Sequence, residues 1–168
     1  MLGLLYATDT GEEVSGEMVT IRSATEGDIP SIIDLYRKLI IHTSQFEMDR
    51  NVSLDDYRRV FAEICDDPRH ELLVAENGGE VTGSVVLLIV PNLSHSATPW
   101  ALVENLIVDP PSRHRGIGKQ LLEYVIARAK EKGCHRVEVM SDKRREEAHR
   151  LYRSVGFDTS AYGFRLYF

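Results

Sequence analysis

The chain has 168 residues, a length for one globular domain rather than two. Its 43% hydrophobic and 27% charged residues exclude a disordered or collagen-like chain, and two cysteines are too few for a disulfide framework. Twenty Lys and Arg against 26 Asp and Glu leave a net charge of −6, which lacks the footprint of a general nucleic-acid binder. Cys65 and Cys134 read as buried thiols, and a reducing cytoplasm is the expected compartment. The longest apolar run, Val85 to Val90, has the length of a strand, so no membrane span is expected.

Residues 1–17 read as an N-terminal extension without the basic start of a signal peptide, and residues 18–168 as a single domain. Val19 to Arg22 is a β-type run. Polar residues Ser23 to Asp28 then precede Ile29, Ile32, Ile33, Leu35, Tyr36, Leu39 and Ile40, whose spacing predicts an amphipathic helix. His42 to Val52 breaks that period and reads as a loop. Ser53 is placed to cap a second helix through Leu54, Tyr57, Val60, Phe61 and Ile64, stopped at Asp66-Asp67-Pro68. Two β-type runs, Glu71 to Glu76 and Val81 to Val90, flank Asn77-Gly78-Gly79-Glu80, a hairpin signal.

Pro91 to Pro99 is a connection, and Trp100 to Val108 a strand whose last residues, Leu106 to Val108, are apolar on both faces and therefore central. Arg113-His114-Arg115-Gly116-Ile117-Gly118-Lys119 follows, and Leu121, Leu122, Val125, Ile126 and Ala129 mark a long helix that Gly133 stops. Val137 to Met140 is a further strand, Glu146 to Ser154 a short helix, and Phe164 to Phe168 a closing strand. This order predicts an α/β fold in the layered α+β sense: a mixed central sheet flanked by helices.

Chemistry concentrates at the turn from the central strand into the long helix. Glycines there let the backbone approach an anion, and the unpaired N–H groups of a first helical turn point at it. Arg113, Arg115 and Lys119 add positive charge suited to a pyrophosphate, although a solvated basic turn has the same composition. A Walker loop is excluded by Arg113 and Gln120, and a dinucleotide fingerprint by Leu121.

The segment Arg113 to Gly118 satisfies the pattern Q/R-x-x-G-x-G/A, and Ala148-His149-Arg150-Leu151-Tyr152 with Val155-Gly156-Phe157 matches A-x-x-L-Y followed by G-F. With these motifs and its element order, the chain resembles the GCN5-related N-acetyltransferase (GNAT) family and its acyl-CoA N-acyltransferase fold. The resemblance implies acetyl-CoA as cosubstrate, its pantetheine arm on Leu106, Ile107 and Val108 where two strands splay, and its pyrophosphate on Arg113, His114, Arg115, Gly116, Ile117, Gly118 and Lys119. It also places Tyr152 near the thioester sulfur as a proton donor, where stripe position alone reads as a core aromatic.

Attack needs a neutral amine, so a base is required. Glu104, two residues before Leu106, is expected on the same face as Leu106 and Val108, and family members carry a carboxylate there. A solvent-facing strand glutamate is the alternative. Where many members have Asn ahead of the A-x-x-L-Y segment this chain has Arg145, so one or more of Lys143, Arg144 and Arg145 is expected to reach the CoA phosphates, a solvated basic patch balanced by Glu146 and Glu147 being the alternative.

The resemblance implies acetyl transfer to a primary amine of a small molecule, by direct attack in a ternary complex. A protein or peptide acetyltransferase and a CoA-binding sensor without turnover are the alternatives. Acceptors would enter at His42 to Val52 and Pro91 to Trp100, with Tyr36, His42, Glu47, Asp49 and His95 as candidate contacts. The segment Glu146 to Phe168 is similar to aminoalkylphosphonate acetyltransferases, and Val103 to Val108 to glucosamine 6-phosphate acetyltransferases. The histidines lack zinc-type spacing, so no metal is expected; neither is a nucleic-acid or membrane partner, and a homodimer is left open.

Overall fold

The structure is a computed structural model that describes residues 19–39 and 52–166. Residues 1–17, the acceptor candidates His42, Glu47 and Asp49, and the last residues of the expected closing strand lie outside that description. Five strands form one sheet in the order β1 (Thr20–Ser23), β2 (His70–Asn77), β3 (Glu80–Val90), β4 (Trp100–Val108) and β5 (Val137–Val139). The first four pair antiparallel and β5 joins β4 in parallel, so the sheet is mixed. The longer helices among the described residues are α1 (Ile29–Leu39), α2 (Leu54–Asp66), α3 (Ile117–Glu131) and, after the last strand, α4 (Glu146–Ser154). No helix among the described residues is long and apolar enough to cross a membrane.

Local chemistry accounts for most boundaries. Ser53 Oγ accepts from the Asp56 N–H and the Asp56 carboxylate accepts from the Ser53 N–H at 3.0 Å, a reciprocal cap that starts α2. Gly78 and Gly79, at φ of 59° and 85°, make the two-residue hairpin turn between β2 and β3. Arg22 bridges Asp28 and Glu76, each at 2.7 Å, tying the entry to α1 onto the first two strands.

The helices cover opposite faces of the sheet. On one face Leu73, Val85, Leu87, Ala101, Val103 and Leu106 pack with Ile117, Leu121, Leu122 and Val125 of α3 and with Tyr152 of α4. On the other, α1 lies over β3 and β4 and α2 over β2, above the buried Val74, Ser84, Val86 and Ile107. α2 is loosely seated: it has no buried residue, and Leu54, Tyr57 and Val60 stay exposed.

Two expectations are overturned. Phe164, Arg165 and Leu166 form no strand, and Phe164 and Leu166 are 91% and 80% exposed. Alternation supplies a pattern but not a partner, and β5 is only three residues long. Cys65, on the loosely seated α2, is exposed, and Cys134, after α3, is half-buried.

The feature that positions the site is a bulge in β4. Ser84 pairs with Ile107 and Val86 with Glu104, so Val85 alone faces both Asn105 and Leu106. Asn105 takes the left-handed backbone conformation, φ 53°, which asparagine tolerates better than most side chains. The second feature is a splay: β5 pairs with Ala101, Leu102 and Val103 alone, leaving Glu104 to Val108 without a strand neighbour on that side among the described residues.

Candidate active site

A cavity of about 650 Å³ opens where β4 runs beyond β5, within the usual range for small-molecule sites. Its floor is Leu106, Ile107 and Val108, one wall is the start of α3, and the other is α4 with Leu151 and Tyr152. The basic turn and the later aromatic, separated by more than thirty residues, therefore border one space.

Gly116 precedes α3 with φ of 82°, a conformation side chains rarely adopt, and its carbonyl accepts the first intrahelical bond, from Gln120 at 3.0 Å. The N–H groups of Ile117, Gly118 and Lys119 precede that bond and face the mouth of the helix, where its dipole is positive. A Cβ built on Gly118 would stand 3.0 Å from Leu151 Cδ2 and 3.5 Å from Val108 Cγ2, so this glycine keeps the cavity open between α4 and β4. Arg113 Nε donates to the Val108 carbonyl at 3.1 Å, folding the arginine back over the strand end.

Of the cradle residues, Arg113, His114, Gly116, Ile117, Gly118 and Lys119 line the cavity, whereas Arg115 is exposed and does not. Arg145 lines it too, as do Arg144 and Arg150, while Lys143 does not. Arg144 is held by a double contact to Asp142 at 2.8 and 2.7 Å. Lys38 reaches the cavity from α1 and pairs with Asp109 at 2.6 Å. Lys38 carries no local motif and Arg150 stands at an unspecified position of the A-x-x-L-Y segment, so the packing of α1 and α4 brings them here.

Tyr152 is buried and meets Phe157 edge to face, with ring centroids 5.9 Å apart. Burial pushes its hydroxyl above the usual phenol range; the Arg145 charge and a contact with Ser141 oppose this, and the Glu104 charge reinforces it. The hydroxyl is protonated at neutral pH. Ser141, just beyond β5, had no sequence signal to mark it.

Glu104 requires a correction. It was expected on the face of Leu106 and Val108, but the extra residue at Asn105 inverts the alternation, and Glu104 shares the α1 face with its neighbour Val86 and with Ile107. It is half-buried beside the cavity rather than lining it. Burial raises its carboxyl above the usual range, and the positive charge of Arg165 acts the other way. On the same face the Tyr36 phenol is pushed up by burial, with Ser84 and Asn105 beside it pulling it down. His95 lies instead on the surface, stacked on His135 at 4.4 Å.

The arrangement is a helix start suited to an anion, a strand edge unpaired among the described residues and a neutral phenol in one cavity, with a carboxylate across the strand. The acetyltransferase (GNAT) family model matches residues 35–157. The chain is 29% identical over 145 residues to the aminoalkylphosphonate N-acetyltransferase of Salmonella typhimurium, covering 86% of this chain and 88% of that protein. It is 27% identical over 143 residues to the L-methionine sulfoximine/L-methionine sulfone acetyltransferase of the same organism, covering 85% and 82%. The crystal structure of a transcriptional regulator from Bacillus halodurans C-125 matches with a TM-score of 0.78 at 34% identity, covering 90% of this chain and all of the other.

Proposed function

Because the chain belongs to the GNAT family and is an acetyl-CoA-dependent N-acetyltransferase, we propose that it acetylates a primary amine of a small molecule by direct attack in a ternary complex. The observation that carries this reading is the single cavity joining the Gly116 to Lys119 cradle, the free edge of β4 and Tyr152. The residues fit acetyl-CoA: positive φ at Gly116 and free N–H groups suit a pyrophosphate, and the Leu106 to Val108 edge offers backbone groups to an amide-bearing arm. Arg113, Lys119, Arg144, Arg145 and Arg150 supply charge for its phosphates.

When bound, acetyl-CoA supplies an activated acyl carbon and a thiolate leaving group. Glu104 accepts a proton from the incoming ammonium, its raised pKa bringing it nearer the operating pH. The amine nitrogen then forms the C–N bond as the C–S bond breaks, the Tyr152 hydroxyl gives its proton to the departing sulfur, and the proton the nitrogen sheds on becoming an amide returns, through solvent, to the Tyr152 oxygen. The backbone at the bulge polarises the carbonyl. Glu104 faces the α1 side of β4 while Leu106, Val108 and Tyr152 border the cavity from the α4 side, which supports simultaneous occupancy with the acceptor coming from the α1 side and the acyl donor from the α4 side.

The names of the two Salmonella relatives, both acting on small amines, support the acceptor class. The test follows CoA thiol release from acetyl-CoA with a panel of small primary amines, an aminoalkylphosphonate and amino acids among them, beside lysine and N-terminal peptides. Release with small amines and not peptides is the expected result. Release with peptides alone overturns the acceptor class, and binding of acetyl-CoA without release from any acceptor overturns the enzymatic reading in favour of a sensor.

A further inference from the structure

The cavity at the end of β4 takes one side chain from the other side of the sheet. Among the described residues that line it, all but one fall between Leu106 and Tyr152. The exception is Lys38, in the last turn of α1, the helix that lies over β3 and β4 on the face away from α3. Its Nζ donates to Asp109 Oδ1 at 2.6 Å, just past the last residue of β4. Asp109 is itself fixed, because its N–H donates to the Thr82 carbonyl and its carbonyl accepts from the Ser112 N–H, both at 2.8 Å. One residue earlier the Val108 carbonyl accepts from Arg113 Nε at 3.1 Å. A cation from α1 and a cation from the turn before α3 therefore meet adjacent residues at the strand end.

We propose that Lys38 is a cosubstrate-binding residue: its ammonium, held at the strand end by Asp109, serves the pyrophosphate of acetyl-CoA and ties α1 to the occupied cavity. This rests on the acetyl-CoA reading above. The Lys38 and Asp109 side chains are 46% and 27% exposed, so their pair contributes little to the fold and is easily exchanged. An ammonium has three donors on a flexible stem, and a single carboxylate oxygen occupies one of them. A diphosphate carries more negative charge than one carboxylate and draws the ammonium the more strongly. The pyrophosphate is the partner because Val108 and Asp109 lead directly into the turn whose N–H groups at Ile117, Gly118 and Lys119 suit that group. Among the described residues no other side chain of α1 reaches this cavity, so occupancy bears on α1 through Lys38.

Lys38→Met keeps the stem and removes the charge. In isothermal titration the variant binds acetyl-CoA about three- to fivefold more weakly than the parent, the size of one exposed charge contact. Acetyl-3′-dephospho-CoA is weakened equally, because it keeps the pyrophosphate, and S-acetylpantetheine, which has no phosphate, binds parent and variant alike. The loss shrinks in high salt. Asp109→Asn supplies the second background: there Lys38→Met still weakens acetyl-CoA about three- to fivefold, whereas a lysine that only neutralises Asp109 costs nothing when lost.

Parental acetyl-CoA affinity in Lys38→Met overturns the proposal. So does an equal loss for S-acetylpantetheine, which marks a loosened α1, or the absence of a loss in the Asp109→Asn background, which leaves Lys38 a counter-ion. A loss seen with acetyl-CoA and not with its 3′-dephospho form overturns the pyrophosphate as the partner. If the parent itself binds no acetyl-CoA, the cosubstrate reading fails and this contact falls with it, an outcome distinct from a parent and a variant that bind equally well.

Discussion

Replacing Gly116 with alanine tests the anion cradle without crowding it. The residue sits at φ of 82°, and a Cβ there would meet only Gln120 Nε2, at 3.8 Å, so the added methyl fits the space and the penalty is purely conformational. Left-handed backbone costs an L residue about 1–2 kcal/mol relative to glycine. If α3 keeps its packing on Leu121, Leu122 and Val125, that strain is relieved by re-aiming the turn and with it the N–H groups of Ile117 and Gly118. Acetyl-CoA affinity then falls by a factor of about 5–30, the equivalent of 1–2 kcal/mol. Isothermal titration of acetyl-CoA and a thermal melt separate the two destinations of the strain, lost affinity or lost stability. Gly116→Asn, tolerant of this conformation, recovers part of the loss. Gly118→Ala is the steric contrast: its Cβ stands 3.0 Å from Leu151 Cδ2, so it pushes α4 and narrows the cavity. Gly116→Ala with parental affinity and an unshifted melt would refute the conformational account of the cradle.

Three further outcomes follow from charge and burial. Tyr152→Phe removes the proton donor and lowers kcat by a factor of about 10²–10⁴ while leaving acetyl-CoA binding within a few fold; equal turnover in the variant removes Tyr152 from the mechanism. Glu104 must be ionised to act, so activity rises with pH through its raised pKa; Arg165→Gln removes the charge that holds this pKa down, and the acidic limb of the kcat/KM profile moves to higher pH. An unmoved limb means that another group is the base. Asp28, which accepts from Arg22 and Thr25, has its carboxyl lowered from 3.8 to about 2, so its ion pair stabilises the fold fully above the unfolded pKa and loses that effect as pH falls toward 2. Asp28→Asn lowers stability by about 1–2 kcal/mol at pH 7, and chemical denaturation at successive pH values should show the difference closing between pH 4 and 2.

The cradle was legible in the sequence because its determinants are local. Gly116 before Ile117, an anion-suited turn after an apolar strand and a helical stripe starting at Leu121 all lie within a dozen residues. The hairpin at Gly78-Gly79 and the Ser53 cap were legible for the same reason. Glu104 shows where such reading stops. A strict period of two put it beside Leu106, and one residue in left-handed conformation reversed that. Asn105 inside an apolar strand was the available sign, since asparagine is depleted in strands and tolerated in bulges.

The sequence by itself determined where most helices and strands begin, that a glycine turn with basic residues follows the central strand, and, through two motifs, the family's chemistry. Tertiary structure decided the rest: that β5 stops opposite Val103 and frees the end of β4, that Tyr152 and the Gly116 turn border one cavity, and that Arg115 does not line it. It also decided that Phe164 to Leu166, patterned as a strand, goes unpaired. The physical reason is the same in each case. Caps, turns and periodicity are energies between residues a few positions apart, whereas register, splay and the face a side chain occupies depend on which distant strand lies alongside.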